Sequence, residues 1–299
     1  MNTKRPSYGH MIALFTMLMW GTTFVATKVL LRAFTPVEIL FYRFVIGYGA
    51  LWLFYPHRLR LTERKQEWYF VGAGLCGVTL YYLSENVALT YSLASSVGVI
   101  VSIAPMFTAI LAHFFLDGEP LRPRFVFGFV SAILGIGLIS WNGTAALQLN
   151  PIGDLLAVFA AFIWAVYSIL GRKISAFGYN TMQTTRRTFL YGILFMVPSL
   201  ALFGFRFGFA RFAEPVYLGN MIFLSLGASA VCFVTWNLAV RILGAVKTSV
   251  YIYLQPVISV LGAGLILHER LTPVTLLGTA LTLCGLLLSE WRMPQKIKT

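Results

Sequence analysis

Ten apolar runs of roughly membrane-spanning length follow one another along this chain and constrain its fold more than any other feature. A helix that crosses a bilayer needs about 20 residues, and short loops leave room for ten such helices in 299 residues. The runs are His10–Leu31, Val37–Tyr55, Trp68–Leu89, Ser95–Leu116, Phe125–Trp141, Ile152–Gly171, Gln183–Phe203, Val216–Val240, Thr248–Leu267 and Pro273–Trp291. The pattern predicts an all-α integral membrane protein with ten transmembrane helices.

Composition agrees with this prediction and excludes several function classes. Charged residues make up 11% of the chain, whereas a soluble domain has about 25%. The loops are too short for a soluble catalytic or nucleotide-binding domain, and the sequence has no G-x-x-x-x-G-K-[ST] run, which argues against ATP as the energy source. The four histidines and three cysteines are scattered, so we expect no metal, no cofactor and no enzymatic activity.

One glycine pattern could be mistaken for a nucleotide-binding motif. The run Gly72–Gly77 matches G-x-G-x-x-G, but that fingerprint requires a preceding strand and an exposed helix N-terminus. Here it lies inside the third apolar run, where small residues allow helices to approach closely. We therefore interpret it as a packing motif.

The net charge of +13 predicts orientation rather than nucleic-acid binding. Basic residues concentrate in the cytoplasmic loops of membrane proteins. With the N-terminus inside, fifteen of the 23 Lys and Arg residues fall in cytoplasmic segments and five fall outside. The sequence thus predicts a multi-pass protein of the cell (inner or plasma) membrane, with both termini in the cytoplasm and the lipid bilayer as its surroundings.

The two halves of the sequence repeat each other. Residue types that are rare in membranes recur at an offset that drifts only from 144 to 151. The matched pairs are Trp20 and Trp164, Lys28 and Arg172, Arg43 and Arg187, Asn86 and Asn237, Pro105 and Pro256, Glu119 and Glu269, Gly128 and Gly278, and Gly135 and Gly285. We expect two five-helix repeats, residues 1–145 and 146–299. Because five is odd, the second must be inverted, which is typical of secondary transporters.

The same residues resemble a known family. The runs Asn86–Ala94 and Pro105–Leu121 in the first half, and Leu254–Pro256 and Glu269–Thr272 in the second, resemble the paired signature of the EamA family of the drug/metabolite transporter superfamily. This resemblance implies a ten-helix bundle in which helices 1–4 and 6–9 surround a central cavity. It also implies efflux of amino acids or related small metabolites, driven by ion gradients or exchange.

Ionisable residues inside the apolar runs are candidates for coupling and gating, because charges at membrane depth usually mark pathways. Glu85 is the candidate for proton coupling or for binding a substrate ammonium group; the alternative is an acid near the interface that pairs with Lys28. Arg43 and Arg187 can each bind a carboxylate bidentately, although anchoring to headgroups or to other helices is the favoured interpretation of the pair. Glu119 and Glu269, which end helices 4 and 9, are candidates for gates or structural locks.

Prolines and aromatic residues complete the predicted cavity. Pro105 and Pro256 should break the fourth and ninth helices and act as hinges. Trp20, Trp164 and Trp236 lie within runs rather than at their ends, so they form an aromatic wall or ordinary helix packing. The predicted cavity residues are Trp20, Thr23, Tyr82, Glu85, Asn86, Pro105, Trp164, Tyr167, Trp236, Asn237, Tyr253 and Gln255.

The sequence therefore predicts a secondary active transporter that exports amino acids or related small metabolites by alternating access, with protons as the candidate coupling ion. Two alternatives stay open. A passive facilitator or exchanger would move substrate without proton dependence, and a flippase for a lipid-linked substrate would need a lateral opening.

Overall fold

The chain folds into a bundle of helices, which confirms the predicted all-α class. The computed structural model describes residues 6–117, 123–141 and 151–290, and this part of the chain contains no strand. Grouped across their internal breaks, the helices are α1 (Pro6–Leu30), α2 (Pro36–Phe54), α3 (67–91), α4 (Ala94–Phe115), α5 (Pro123–Trp141), α6 (Pro151–Ala176), α7 (Thr181–Leu202), α8 (Pro215–Leu243), α9 (Ala245–Ile266) and α10 (Pro273–Glu290). Each begins and ends within about five residues of a predicted run.

Length and surface composition are those of membrane helices. Six of them, α1, α2, α4, α6, α8 and α9, are long and apolar enough to cross a bilayer by length and composition. Large apolar side chains such as Leu53, Phe54, Leu202 and Leu265 are exposed on the outside of the bundle. In lipid this exposure costs nothing, because acyl chains are as apolar as the side chains themselves.

Interruptions occur at matching places in the two halves. Helix α4 breaks at Ser102 and Ile103, and its second segment begins with Pro105 in the first turn. Helix α9 has a 3₁₀ segment over Val250–Leu254, after which Pro256 again occupies the first turn. The helices are thus interrupted next to both prolines, because the pyrrolidine ring removes one donor and crowds the preceding turn. Hinge motion at these breaks remains a prediction.

Helices α5 and α10 pack against each other through matched glycines. A Cβ atom added at Gly135 would lie 2.6 Å from the carbonyl oxygen of Gly278, and one added at Gly285 would lie 2.5 Å from that of Gly128. These distances leave no room for any side chain. Because Gly135 faces Gly278 while Gly128 faces Gly285, the two helices run antiparallel.

The run Gly72–Gly77 serves close packing, as the sequence indicated. A Cβ at Gly74 would meet the carbonyl oxygen of Thr188 and the amide nitrogen of Gly192, both at 2.7 Å, on α7. A Cβ at Gly77 would lie 2.2 Å from the ring of Tyr167 on α6. The two glycines therefore allow α3 of the first half to pack closely against α6 and α7 of the second.

Substitution of Gly135 by alanine should destabilise the protein by about 1–3 kcal/mol, because the new methyl group overlaps backbone atoms of α10. Gly137 is a matched control two residues away on the same helix, since a Cβ there meets nothing within 4 Å. We expect thermal unfolding in detergent to show a lower melting temperature for Gly135→Ala and an equal or higher one for Gly137→Ala. Equal melting temperatures for the two variants would contradict the glycine contact.

Candidate functional site

A cluster of aromatic side chains fills the space where the two halves of the chain meet. The rings of Trp20 on α1 and Trp164 on α6 contact edge to face, with their centroids 5.1 Å apart. The ring of Trp236 lies 5.2 Å from that of Trp20. We call this group the central aromatic cluster; its members are Trp20, Phe44, Tyr81, Tyr82, Trp164, Tyr167, Phe189, Phe233 and Trp236. It brings together five of the predicted cavity residues: Trp20, Tyr82, Trp164, Tyr167 and Trp236.

The cluster reflects the internal repeat. Trp20 and Trp164 are repeat partners and contact each other directly. Tyr82 and Phe233 occupy positions 151 residues apart, and their ring centroids are separated by 6.1 Å. The contact between Phe44 and Tyr82 in the first half, at 5.1 Å, has a counterpart between Phe189 and Phe233 in the second, at 5.0 Å. The two repeats thus contribute equivalent groups to one buried seam.

Two tryptophans of the cluster leave their indole donors unused. The Nε1 of Trp20 donates to the carbonyl oxygen of Ala228 at 2.7 Å. The Nε1 atoms of Trp164 and Trp236 are buried and have no hydrogen-bond partner among the described residues. Since an unpaired buried N–H is costly, these two donors are suited to a ligand at the cluster.

Arg43 enters the cluster from α2 and is completely buried. Its Nε donates to the hydroxyl of Ser229 on α8 at 2.6 Å, and its Cζ lies 4.1 Å from the centroid of the Tyr82 ring. Both terminal nitrogens, Nη1 and Nη2, lack a partner within the described part of the chain. The guanidinium group therefore keeps the donors that would bind a carboxylate through parallel hydrogen bonds.

Glu85 provides the opposite charge from α3. It is 1% exposed, and its carboxyl group interacts with the hydroxyl of Tyr81 and with the charge of Arg43. No nitrogen of Arg43 lies within 4.0 Å of the Glu85 carboxylate, so the two do not form a salt bridge, and Oε1 of Glu85 has no partner among the described residues. The cluster thus holds a buried carboxyl group and a buried guanidinium group that interact electrostatically without an ion pair.

The alternative partner of Glu85, Lys28, is engaged elsewhere. Its Nζ donates to the carbonyl oxygens of Leu89 at 2.5 Å and Ser92 at 2.8 Å, at the end of α3. Lys28 is therefore bound to the backbone nearer the end of the helix bundle, and the predicted ion pair between Glu85 and Lys28 is not formed.

The remaining polar candidates have hydrogen-bond partners within the bundle. Thr23 donates to the carbonyl oxygen of Trp20 at 2.7 Å, beside the break in α1. Asn86 donates to the carbonyl oxygen of Pro36 at 3.1 Å and so links α3 to α2. Its repeat partner Asn237 accepts a hydrogen bond from Tyr167 at 2.9 Å and donates to Thr185 at 3.1 Å, which links α8 to α6 and α7.

Three predicted cavity residues lie on α4 and α9. Pro105 and Gln255 are buried in the first turns of the second segments of these helices. Tyr253 belongs to an apolar group with Met106 and Phe125 that is separate from the core group containing the tryptophans.

Arg187 differs from its repeat partner Arg43. It is partly exposed and forms an ion pair with Glu67 at the start of α3. The hydroxyl of Tyr191 donates to the same carboxylate. This arrangement ties α7 to α3 and favours the anchoring alternative for Arg187, whereas Arg43 alone of the pair reaches the cluster.

Glu269 closes the opposite end of the bundle. Its carboxylate accepts hydrogen bonds from the amide nitrogens of Ala94 at 2.9 Å and Ser95 at 3.2 Å, and from the Ser95 hydroxyl at 2.7 Å. It thereby caps α4 from the loop between α9 and α10, and it attracts the nearby charge of Lys28. Its predicted counterpart Glu119 lies outside the described residues.

A second contact between helices at this end is not among the interactions predicted from the sequence. Glu38, buried in the first turn of α2, forms a salt bridge of 2.8 Å with Arg211 in the loop before α8. Thr35 and Glu38 also form a capping box, in which each side chain bonds the backbone N–H of the other. The run Thr-Pro-Val-Glu carries that capping signature, but nothing in the sequence identifies Arg211 as the partner.

Comparison with known proteins agrees with a membrane transporter. The model of the EamA-like transporter family matches residues 7–141 of this chain and matches again over residues 151–291. A protein of Archaeoglobus fulgidus named an uncharacterized transporter is 28% identical over 99% of this chain and 100% of its own length. A solved structure superimposes with a TM-score of 0.66 at 21% identity, covering 95% of this chain and 96% of that one.

Two other relatives have more specific names. A "probable terminal-alkyne amino-acid exporter" of Streptantibioticus cattleyicolor is 26% identical, with 93% of this chain and 91% of that protein covered. A "probable amino-acid metabolite efflux pump" of Escherichia coli K12 is 24% identical over 96% of this chain and 97% of that protein. The fold and these likenesses define a multi-pass membrane transport protein. The chain belongs to the EamA-like transporter family.

Removal of either charge at the cluster should destabilise the protein, because it leaves the other buried alone. We expect Arg43→Gln and Glu85→Gln each to lower the melting temperature in detergent. The double variant should be more stable than the sum of the two losses predicts, by an interaction free energy of about 1 kcal/mol or more.

The matched control for this cycle combines Arg43→Gln with Glu67→Gln, since Glu67 pairs with Arg187 instead. Effects at independent sites add, so this second cycle should show no interaction. Additive losses for Arg43 and Glu85 as well would contradict their electrostatic coupling.

Proposed function

We propose that this protein is a secondary active transporter that exports amino acids or related small metabolites by alternating access, coupled to protons. The observation that carries this proposal is the buried, unbridged pair of Arg43 and Glu85 at the seam between the halves. Charges of both signs with unused bonding capacity suit a zwitterion, and helix packing does not require them. The names of the exporters from Streptantibioticus and Escherichia support the same substrate class.

In this proposal the chain crosses the membrane ten times as two inverted repeats, residues 1–145 and 146–299, with both termini in the cytoplasm of the cell. The antiparallel course of the repeat partners α5 and α10 supports the inversion. So does the seam, where equivalent aromatic residues of the two halves meet. A site formed by both repeats can face either side of the membrane when the halves rock.

Each part of the substrate has a complement at the cluster. The two unused nitrogens of Arg43 receive the carboxylate, and the carboxylate of Glu85 receives the ammonium group. The tryptophan faces bind the side chain, and the free indole donors of Trp164 and Trp236 add hydrogen bonds. Since Arg43 and the three tryptophans are almost fully buried, substrate must enter through a rearrangement at the helix breaks beside Pro105 and Pro256.

Glu85→Gln should abolish uphill transport, because an amide retains the size of the carboxyl group and cannot exchange a proton. Proteoliposomes under a pH gradient would receive an equimolar mixture of the common amino acids, with accumulation followed by mass spectrometry. We expect accumulation above equilibrium for the unaltered protein and only equilibration for Glu85→Gln.

The control for this experiment is Glu63→Gln, an identical change at an exposed residue of the loop before α3. It should accumulate substrate as the unaltered protein does. If the unaltered protein equilibrates substrate without responding to the gradient, it is a facilitator or exchanger. If none of the amino acids moves, the proposed substrate class is wrong.

Glu269→Ala should open the outer end of the bundle, because loss of a helix cap costs about 1 kcal/mol. Cys232 is buried beside Arg43 and can report this opening. In a background with Cys76→Ala and Cys284→Ala, we expect a membrane-impermeant maleimide added outside to label Cys232 about fivefold faster in Glu269→Ala.

The matched control is Glu214→Ala, which removes an exposed carboxylate from the loop before α8. Its labelling rate should equal that of the parent. An unchanged rate in Glu269→Ala would show that the contacts of Glu269 do not hold the outer end closed.

A further inference from the structure

Arginines line a cavity of about 270 Å³ between α2 and α7, away from the central aromatic cluster. Arg58, Arg186 and Arg187 contribute three positive charges to its wall, together with Trp52 and Tyr48. Of these three arginines, Arg187 forms an ion pair, and its partner is the carboxylate of Glu67. Within residues 6–117, 123–141 and 151–290, Arg58 and Arg186 form no ion pair. The cavity therefore carries an excess of positive charge.

The loop after α2 holds this cavity in shape. Arg186 is 6% exposed, and its terminal nitrogens donate to the carbonyl oxygens of Tyr55 and His57. Gln183, one turn earlier on α7, donates to the carbonyl oxygens of His57 and Arg58, both at 3.2 Å. A guanidinium has five N–H donors, so those two bonds leave Arg186 with capacity for an anion. Its orientation is fixed before any ligand arrives.

The surface that leads away from the cavity is apolar. Leu190 lies on its wall, and Leu194 and Val197 follow on the same face of α7, all three well exposed. On α2, Trp52 lies on the wall and Val45 follows two turns away, both also exposed. A positively charged cavity that continues into an exposed apolar strip has the two-part chemistry of a phospholipid: an anionic headgroup and acyl chains.

We propose that this cavity binds the headgroup of an anionic phospholipid, in the leaflet at the end of the bundle where the loop between α2 and α3 lies. Arg58 and Arg186 bind the phosphate, and the acyl chains lie along Leu190, Leu194 and Val197. Basic pockets between membrane helices are suited to such headgroups. A soluble phosphate would need only the arginines, whereas the acyl chains of a lipid would also use the apolar strip.

Native mass spectrometry of the full-length protein in detergent tests this site. Phosphatidylglycerol and phosphatidylcholine with identical acyl chains would be titrated separately, and inorganic phosphate would be added as a competitor. We expect phosphatidylglycerol to bind more tightly than phosphatidylcholine. Inorganic phosphate at millimolar concentration should not displace it.

Arg58→Gln is the test variant, because the side chain is exposed and its loss should leave the fold intact. It should weaken phosphatidylglycerol binding about fivefold. Arg64→Gln is the matched control in the same loop, since Arg64 is exposed but does not line the cavity, and it should bind as the unaltered protein does. Equal affinities for the two phospholipids, or for Arg58→Gln and the unaltered protein, would overturn the proposal. Displacement by inorganic phosphate would replace it with a soluble anion site.

Discussion

The fold depends on the requirement that every backbone N–H and C=O be satisfied inside the chain when lipid is the solvent. That requirement makes the apolar runs helical, but it does not decide how the helices pack, because lipid contact is as favourable for leucine as protein contact is. Close backbone approach supplies the specificity instead. The glycines of α5 and α10, and Gly74 and Gly77 on α3, allow contacts that a methyl group would prevent.

Charges in this protein fall into two groups that differ in their bonding. Near the ends of the bundle the described carboxylates Glu38, Glu67 and Glu269 are bonded: Glu38 pairs with Arg211, Glu67 pairs with Arg187, and Glu269 caps α4. At the seam, Arg43 and Glu85 form no salt bridge and retain unused atoms. Buried groups of this kind reduce stability unless a ligand completes their bonds. The contrast distinguishes the proposed binding site from the anchoring pairs.

Pseudo-symmetry relates the two halves, and the departures from it are also informative. Trp20 and Trp164 occupy equivalent positions and contact each other at the seam. Arg43, in contrast, lies in the cluster, whereas its repeat partner Arg187 pairs with Glu67. The cluster therefore combines aromatic side chains from both halves with Arg43 and Glu85 of the first half. In the proposed function, this asymmetry allows two similar conformations to bind one substrate in one orientation. At the other face of α7, Arg186 and the loop after α2 form a positively charged cavity that has no part in this seam.

The sequence alone determined the helical class, the approximate helix bounds, the breaks beside Pro105 and Pro256 and the family, because hydropathy, proline chemistry and the repeat are local or periodic signals. It also indicated Glu85, Arg43 and the three tryptophans as candidates, since such residues are rare at membrane depth. Only the tertiary structure decided which of them meet. Tyr253 lies in a separate apolar group, and Lys28 donates to backbone carbonyl groups rather than to Glu85. Glu38 forms its salt bridge with Arg211. These choices depend on contacts between helices far apart in the chain, and no pattern within a single helix specifies them.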